Sequence, residues 1–226
     1  MEALALELAR RGVLKSNLVR SAFLRMDRRF FCIPGDPNCY EDHPVGIGYG
    51  QTLSAPHMHV EALNALSARL SAFDTKRPVA VLDVGSGSGI LVGAFAVLLR
   101  DMGFTGRVVG VELVAELASR SRNSLRAAGL GDLLDDGSIS VYEGSAYDFA
   151  FDQVDLNNID FVHVGAAAES LPGNLVDHLA PGGVMLLPIG PHGGIQRMCL
   201  VEKSSGDDGG ITIDAGLDVR YVPLVE

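Results

Sequence analysis

No apolar run in this chain approaches the length of a membrane span. The longest, from Ile90 to Leu99, falls well short of crossing a bilayer. The opening stretch from Met1 to Leu8 is apolar but carries Glu2 and Glu7. Its basic residues, Arg10 and Arg11, come after the apolar part, the reverse of a secretory signal. Cysteine is scarce: Cys32, Cys39 and Cys199 form the odd, sparse set expected in a reducing compartment. Cys32 and Cys39 flank the turn-rich Pro34-Gly35-Asp36-Pro37-Asn38, a placement open to a disulfide or a metal role. No nearby Cys pair or His cluster completes a metal set, so no metal and free thiols are expected. Basic residues are few, 18 against 28 acidic ones, giving a net charge of −10. No cluster of Lys and Arg with aromatics appears. Nucleic acid and anionic membranes are therefore poor partners. The expectation is a cytosolic monomer.

At 226 residues, 47% hydrophobic and 20% charged, the chain can bury one substantial core. Helices are expected at 2–11 and 17–30, where Leu4, Leu8 and Arg11, then Leu18, Ala22, Met26 and Phe30, recur at helical spacing. The stretch 33–50 is too broken by Pro and Gly for a regular element. A third helix fits 56–72, with Pro56 in its first turn. After Pro78, strands at 79–84, 107–112, 138–142, 158–164 and 183–188 alternate with helices at 88–101, 114–128 and 168–179. Pro181-Gly182-Gly183 reads as a stop before the last of these strands. Alternation of this kind implies parallel pairing with right-handed crossovers. Strands at 195–202 and 211–222, joined by Ser204-Ser205-Gly206-Asp207-Asp208-Gly209-Gly210, suggest an antiparallel hairpin. No internal repeat is visible. The fold expected is an open α/β sandwich with helices added in front.

Val81-Leu82-Asp83-Val84-Gly85-Ser86-Gly87-Ser88-Gly89 is the most informative segment. A buried strand ends in an acid and a glycine turn before a helix, so backbone N–H groups at the helix N-terminus lie open to a ligand. Side chains at those glycines would block close approach or strain φ. A dinucleotide loop reads G-x-G-x-x-G, whereas Ile90 stands at the third glycine here. A P-loop lysine is also missing. Glu112 ends the next strand, where an acid can accept from both ribose hydroxyls. A neutral loop with a ribose-reading acid and no phosphate machinery suits S-adenosylmethionine. Asp83 as a helix cap and Glu112 as a surface acid are the plainer alternatives.

Further stretches point the same way. They are Ile47-Gly48-Tyr49-Gly50-Gln51-Thr52-Leu53-Ser54-Ala55-Pro56-His57-Met58, His163-Val164-Gly165-Ala166-Ala167-Ala168, Leu179-Ala180-Pro181-Gly182-Gly183 with Leu187-Pro188-Ile189-Gly190-Pro191, and Arg220-Tyr221-Val222-Pro223-Leu224. In this order and spacing the chain closely resembles the protein-L-isoaspartate (D-aspartate) O-methyltransferases, over nearly its whole length.

The resemblance implies a Rossmann-like class I methyltransferase sandwich. Its mostly parallel seven-stranded sheet would carry a C-terminal antiparallel hairpin and extra N-terminal helices. Residues 1–226 would form one methyltransferase domain, with 1–75 covering substrate and cofactor and 76–226 the core. It implies methyl transfer from S-adenosyl-L-methionine, leaving S-adenosyl-L-homocysteine, to the free α-carboxyl of isoaspartyl residues in damaged proteins and peptides. The resulting ester collapses to a succinimide. Ser54 would be the active-site residue, although a serine before Ala55-Pro56 is also a natural helix N-cap. The cofactor would meet Gln51, Thr52, Leu53, His59, Asp83, Gly85, Ser86, Gly87, Ser88, Glu112, Leu113, Gly144 and Ser145. The peptide would meet Ser54, Val164, Gly165, Ala166, Arg220 and Val222. His57 can equally be structural, the small residues after His163 can serve packing, and Arg220 can be an ordinary surface charge.

One departure stands out. The family usually shows Gly-Asp-Gly after the third strand, and this chain has Gly144-Ser145-Ala146. Serine can still hydrogen-bond an adenine amino group but carries no charge, so cofactor binding is expected to survive with lower affinity. The stretch from Tyr147 to Asn157 also looks longer than the family norm. Two other readings stay open: a class I methyltransferase for a small metabolite or RNA, and a catalytically silent adaptor that binds isoaspartyl peptides.

Overall fold

The computed structural model describes all residues except 75, 150, 152–155, 157, 207–208 and 226. Much of the long 147–157 stretch, and the Asp207-Asp208 tip of the expected hairpin, lie outside the described residues. Helix α1 (Glu2–Arg10) and helix α2 (Asn17–Arg25) open the chain, α2 starting where Ser16 accepts the Val19 N–H at 3.4 Å. The expected helix to residue 30 stops early. Asp27 accepts the Arg29 N–H at 3.1 Å and starts a separate 3-10 turn, Arg28–Phe30. Such a local side-chain bond competes with helix continuation, and here the break turns Arg28 fully inward.

The segment 33–50 is more regular than expected. Strands β1 (Val45–Gly48) and β2 (Gln51–Leu53) form an antiparallel hairpin, with Gly48 paired to Gln51. Tyr49 and Gly50, the two turn residues, both hold positive φ, as a type I′ hairpin turn requires. A non-glycine residue at such a φ is what hid the turn. Cys32 and Cys39 are joined by a disulfide, with Cα atoms 6.0 Å apart, which corrects the expectation of free thiols. Successive turns, Asp36 N–H to Ile33 and Cys39 N–H to Asp36, fold the segment back and bring the two together. Cys199 stays a buried free thiol.

Helix α3 (Pro56–Leu70) leads to the main sheet. Its strands are β3 (Val79–Val84), β4 (Gly106–Glu112), β5 (Ile139–Glu143), β6 (Ile159–Val164), β7 (Leu179–Ile189), β8 (Gln196–Lys203) and β9 (Ile211–Val219), in the order β5-β4-β3-β6-β7-β8-β9. Pairing is parallel from β5 through β7 and antiparallel for β8 and β9. The chain runs outward from β3 through β4 and β5, then returns to β6 on the other side. The resulting crevice at the carboxyl ends of β3 and β6 is where such sheets bind ligands.

Helices α4 (Ile90–Asp101), α5 (Ala115–Ala127), α6 (Gly131–Asp135) and α7 (Gly173–His178) join these strands. The short α6 was not expected, and α7 is much shorter than the expected 168–179. Ala167 and Ala168 instead give their N–H groups to Val222 and Pro188, at 2.7 and 3.0 Å, tying the chain's last segment to the sheet. Pro181-Gly182 is not a stop but an irregularity inside β7. Ile159 pairs with Leu179 and Phe161 with Val184, so the extra residues bulge out. β9 ends at Val219 because residues 220–224 leave its line to meet Ala167.

One face of the sheet shares a core with the N-terminal helices, including Leu8, Phe23, Val81, Phe95 and Phe161. Phe95 and Phe161 meet edge-on at 5.6 Å, a contact worth roughly 1 kcal/mol beyond simple burial. Leu82, Val109, Val162 and Leu187 belong to a second core on the opposite face. Among the described residues no helix is long and apolar enough to cross a membrane.

Candidate active site

Between β3 and α4 the chain makes three left-handed turns, at Gly85, Gly87 and Gly89. Helix α4 therefore begins at Ile90 with Gly89 as its cap, later than expected. Close packing demands glycine elsewhere too. A Cβ on Gly165 would stand 2.8 Å from the Gly85 carbonyl oxygen, so β6 can approach the loop only because that residue is bare. Glu112 is buried. Its Oε2 accepts the Gly87 N–H at 2.7 Å and its Oε1 accepts the Val114 N–H at 2.9 Å. Each carboxylate oxygen retains a second lone pair, so the residue can brace the loop and still accept from a ligand.

Three depressions adjoin here. The first is lined by Gln51, Glu112, Leu113, Gly144, Ser145 and Ala166, among others. The second lies deeper, against Leu53, His59, Asp83, Ser86, Ser88 and His163. The third is an open cavity of about 500 Å³ that includes His57, Arg220 and Tyr221. Thr52 and Gly165 border all three, Gly85 and Gly87 the first two, Ser54 the second and third, and Val222 the first and third. Every residue named from the sequence borders this joined space except Val164, which is fully buried in the core behind it. The Ser86 and Ser88 hydroxyls are buried without a hydrogen-bond partner among the described residues. Unmet buried donors cost about 1–3 kcal/mol each, so a polar ligand fits this pocket.

The walls hold several charged and polar contacts. Asp83 on β3 and His163 on β6 are register partners, and His163 Nδ1 lies 2.7 Å from Asp83 Oδ1 with both side chains buried. Ser54 does not cap α3, whose N-cap is Ala55 without a side-chain bond. Ser54 instead lines the open cavity together with Tyr221. Burial raises the Tyr221 pKa, keeping the phenol protonated and able to donate. Its backbone is fixed by Gln196, whose Oε1 accepts the Tyr221 N–H at 2.9 Å.

His57 is held by Asp42, which accepts from both its backbone N–H and its Nδ1 at 2.9 Å. Burial pushes the Asp42 carboxyl upward, but these bonds and a close one from Arg11 outweigh it and hold it below the ordinary range. His59 lies behind Ser54 beside the fully buried Arg28. Arg28 donates to the carbonyls of Cys39 at 2.7 Å and Ser54 at 3.3 Å, and its Nη1 is 3.3 Å from His59 Nδ1. Sequence reading missed Arg28, Asp42 and Gln196, and named Tyr221 only within its segment. Nothing in Asp27-Arg28-Arg29 distinguishes an inward arginine from two exposed ones.

A family model for protein-L-isoaspartate(D-aspartate) O-methyltransferase matches residues 1–226. The chain belongs to this family. It is 37% identical to Arabidopsis thaliana protein-L-isoaspartate O-methyltransferase 1, over 99% of this chain and 90% of the plant protein. It is 35% identical to the Caenorhabditis elegans protein-L-isoaspartate O-methyltransferase, over 94% of this chain and 86% of the other. Among solved structures, a Plasmodium falciparum chain described as a protein-L-isoaspartate O-methyltransferase, in complex with S-adenosyl-L-homocysteine, superposes with a TM-score of 0.83. That pair is 31% identical and covers 99% of this chain and 97% of the other. In this isoaspartate methyltransferase family member the Ser145 hydroxyl accepts the Tyr147 N–H at 3.2 Å beside the Glu112 depression.

Proposed function

We propose that this chain transfers the methyl group of S-adenosyl-L-methionine to the free α-carboxyl of L-isoaspartyl residues in damaged proteins and peptides. The observation that carries the reading is the joined space itself. An inner polar pocket, the Glu112 depression and a cavity of about 500 Å³ share Thr52 and Gly165 as common walls. Bound in the first two, the cofactor supplies an electrophilic methyl on a sulfonium sulfur and leaves as S-adenosyl-L-homocysteine.

The protein's part is to bind, orient and dry the reactants. An α-carboxyl is already ionised at neutral pH, since its reference pKa is near 3.5, so no general base is needed. Ser54, which borders the inner pocket and the open cavity, and Tyr221, which borders the cavity, each carry a hydroxyl able to donate to a carboxylate oxygen. With a net charge of −10, the protein repels anions at long range, and these local donors must hold the substrate. Charge disappears as carboxylate and sulfonium combine, so excluding water favours the transition state. Alignment of the reactants contributes as well. Gly165, bare at the border of the open cavity, leaves room for a kinked backbone.

The same reading takes the chain as one methyltransferase domain acting as a cytosolic monomer on protein substrates, without nucleic acid or membrane. The Cys32–Cys39 bond is the observation that pulls against a reducing compartment. Mass spectrometry of an isoaspartyl peptide incubated with enzyme and cofactor tests the reading. A methyl adduct followed by succinimide and then normal aspartyl peptide supports it. Cofactor binding with no peptide conversion favours a silent adaptor instead.

A further inference from the structure

Arg28 is an unusual side chain for its position. It is fully buried at the end of a broken helix, and Asp42 and Asp36 balance its charge at longer range. Burial lowers its pKa to about 10, which still leaves it a cation at neutral pH. It is placed directly behind two residues of the joined space, because a single nitrogen, Nη1, reaches both the Ser54 carbonyl and the His59 ring.

Guanidinium has donors and no acceptor. The His59 nitrogen that faces it, Nδ1, must therefore accept, and a ring that accepts at Nδ1 carries its proton on Nε2. We propose that Arg28 is a positioning residue that locks His59 in the neutral Nε2–H tautomer, so that a hydrogen-bond donor faces the inner pocket to hold the cofactor. This rests on the reading of that pocket as part of the cofactor site.

Burial, with the surrounding charges, keeps the donor from titrating. His59 is faced by Arg28 from the 3-10 turn, by His163 from β6 with Asp83 of β3 bonded to it, and by His57 from its own helix. Burial first, then the Arg28 charge and the two histidines, drive the His59 pKa well below its ordinary value. The Arg28 Nε bond to the Cys39 carbonyl anchors the guanidinium to the disulfide-closed loop, so its orientation is set from outside the pocket.

The test is the tautomer of His59, read from two-bond nitrogen–proton correlations of the ligand-free protein with labelled histidine. The expected wild-type result is a protonated Nε2 and an unprotonated Nδ1, unchanged across neutral pH. In Arg28→Met, which keeps bulk but removes the donors, both tautomers appear and the ring titrates nearer its ordinary range. The KM for S-adenosyl-L-methionine then rises about tenfold, while kcat falls less than about threefold, the size of one lost neutral hydrogen bond. Arg28→Lys, retaining charge and a donor, restores most of the tautomer preference. An Nδ1–H tautomer in the wild type, which needs no variant to fold, overturns the proposal. So does an unchanged Nε2–H signal in Arg28→Met. Failure of the wild type to bind S-adenosyl-L-homocysteine would instead count against the proposed function and leave the tautomer result standing.

Discussion

The Oε2 atom of Glu112 accepts the Gly87 N–H at 2.7 Å, so the last residue of β4 braces the middle of the glycine loop. Glu112→Gln keeps the shape but turns an amide donor toward one of the two N–H groups the carboxylate now accepts. Affinity for S-adenosyl-L-homocysteine, measured by calorimetry, should fall roughly tenfold to a hundredfold, corresponding to about 1.4–3 kcal/mol. Thermal stability should drop by only a few degrees, since the loop lies outside the core.

Asp83 and His163 connect adjacent strands beneath the inner pocket. Removing either partner strands a buried polar group, and each alanine variant should lose about 3 kcal/mol in urea unfolding. The double variant should cost less than the sum by about 1–3 kcal/mol. Simple additivity would mean that the pair does not act together.

The proposed function assigns the substrate carboxylate to the hydroxyls of Ser54 and Tyr221, which border one cavity. Ser54→Ala and Tyr221→Phe should each lower kcat/KM for an isoaspartyl peptide about tenfold, near 1.4 kcal/mol. Affinity for S-adenosyl-L-homocysteine should change less than about threefold in both. Equal losses in cofactor affinity would move the two hydroxyls to the cofactor's side.

The sheet was legible because each parallel strand is a short apolar run closed by turn residues, and the residues named for the site, Val164 apart, border the joined space. What escaped were effects that depend on distant partners or rare backbone. Tyr49 at positive φ hides the β1–β2 hairpin. The Asp27 side chain ends α2 one turn before its apolar pattern does. Only the fold-back of residues 33–38 tells that Cys32 meets Cys39. Helix α7 is shorter than its sequence suggests because Ala167 and Ala168 give their N–H groups to Val222 and Pro188, residues far along the chain.

The buried His59 links stability to pH. Its folded pKa lies well below the unfolded value of about 6.5, so below that pH the unfolded chain binds a proton that the folded one refuses. Its contribution is fully present above pH 6.5 and is lost as the solution becomes more acidic, by up to about 1.4 kcal/mol per pH unit. His59→Gln removes that linkage. Urea unfolding between pH 5 and pH 7 should show a shallower acid slope for the variant than for the wild type, and identical slopes would place the His59 pKa near its ordinary value.

The central claim is repair methylation directed by the isoaspartyl carboxyl. Labelled methyl transfer from S-adenosyl-L-methionine to an isoaspartyl peptide, beside the same peptide with normal aspartate, tests it most directly. The account predicts base-labile label on the isoaspartyl form alone, abolished when Gly87 is replaced by valine. Equal labelling of both peptides, or none on either by protein that binds the cofactor, would contradict it.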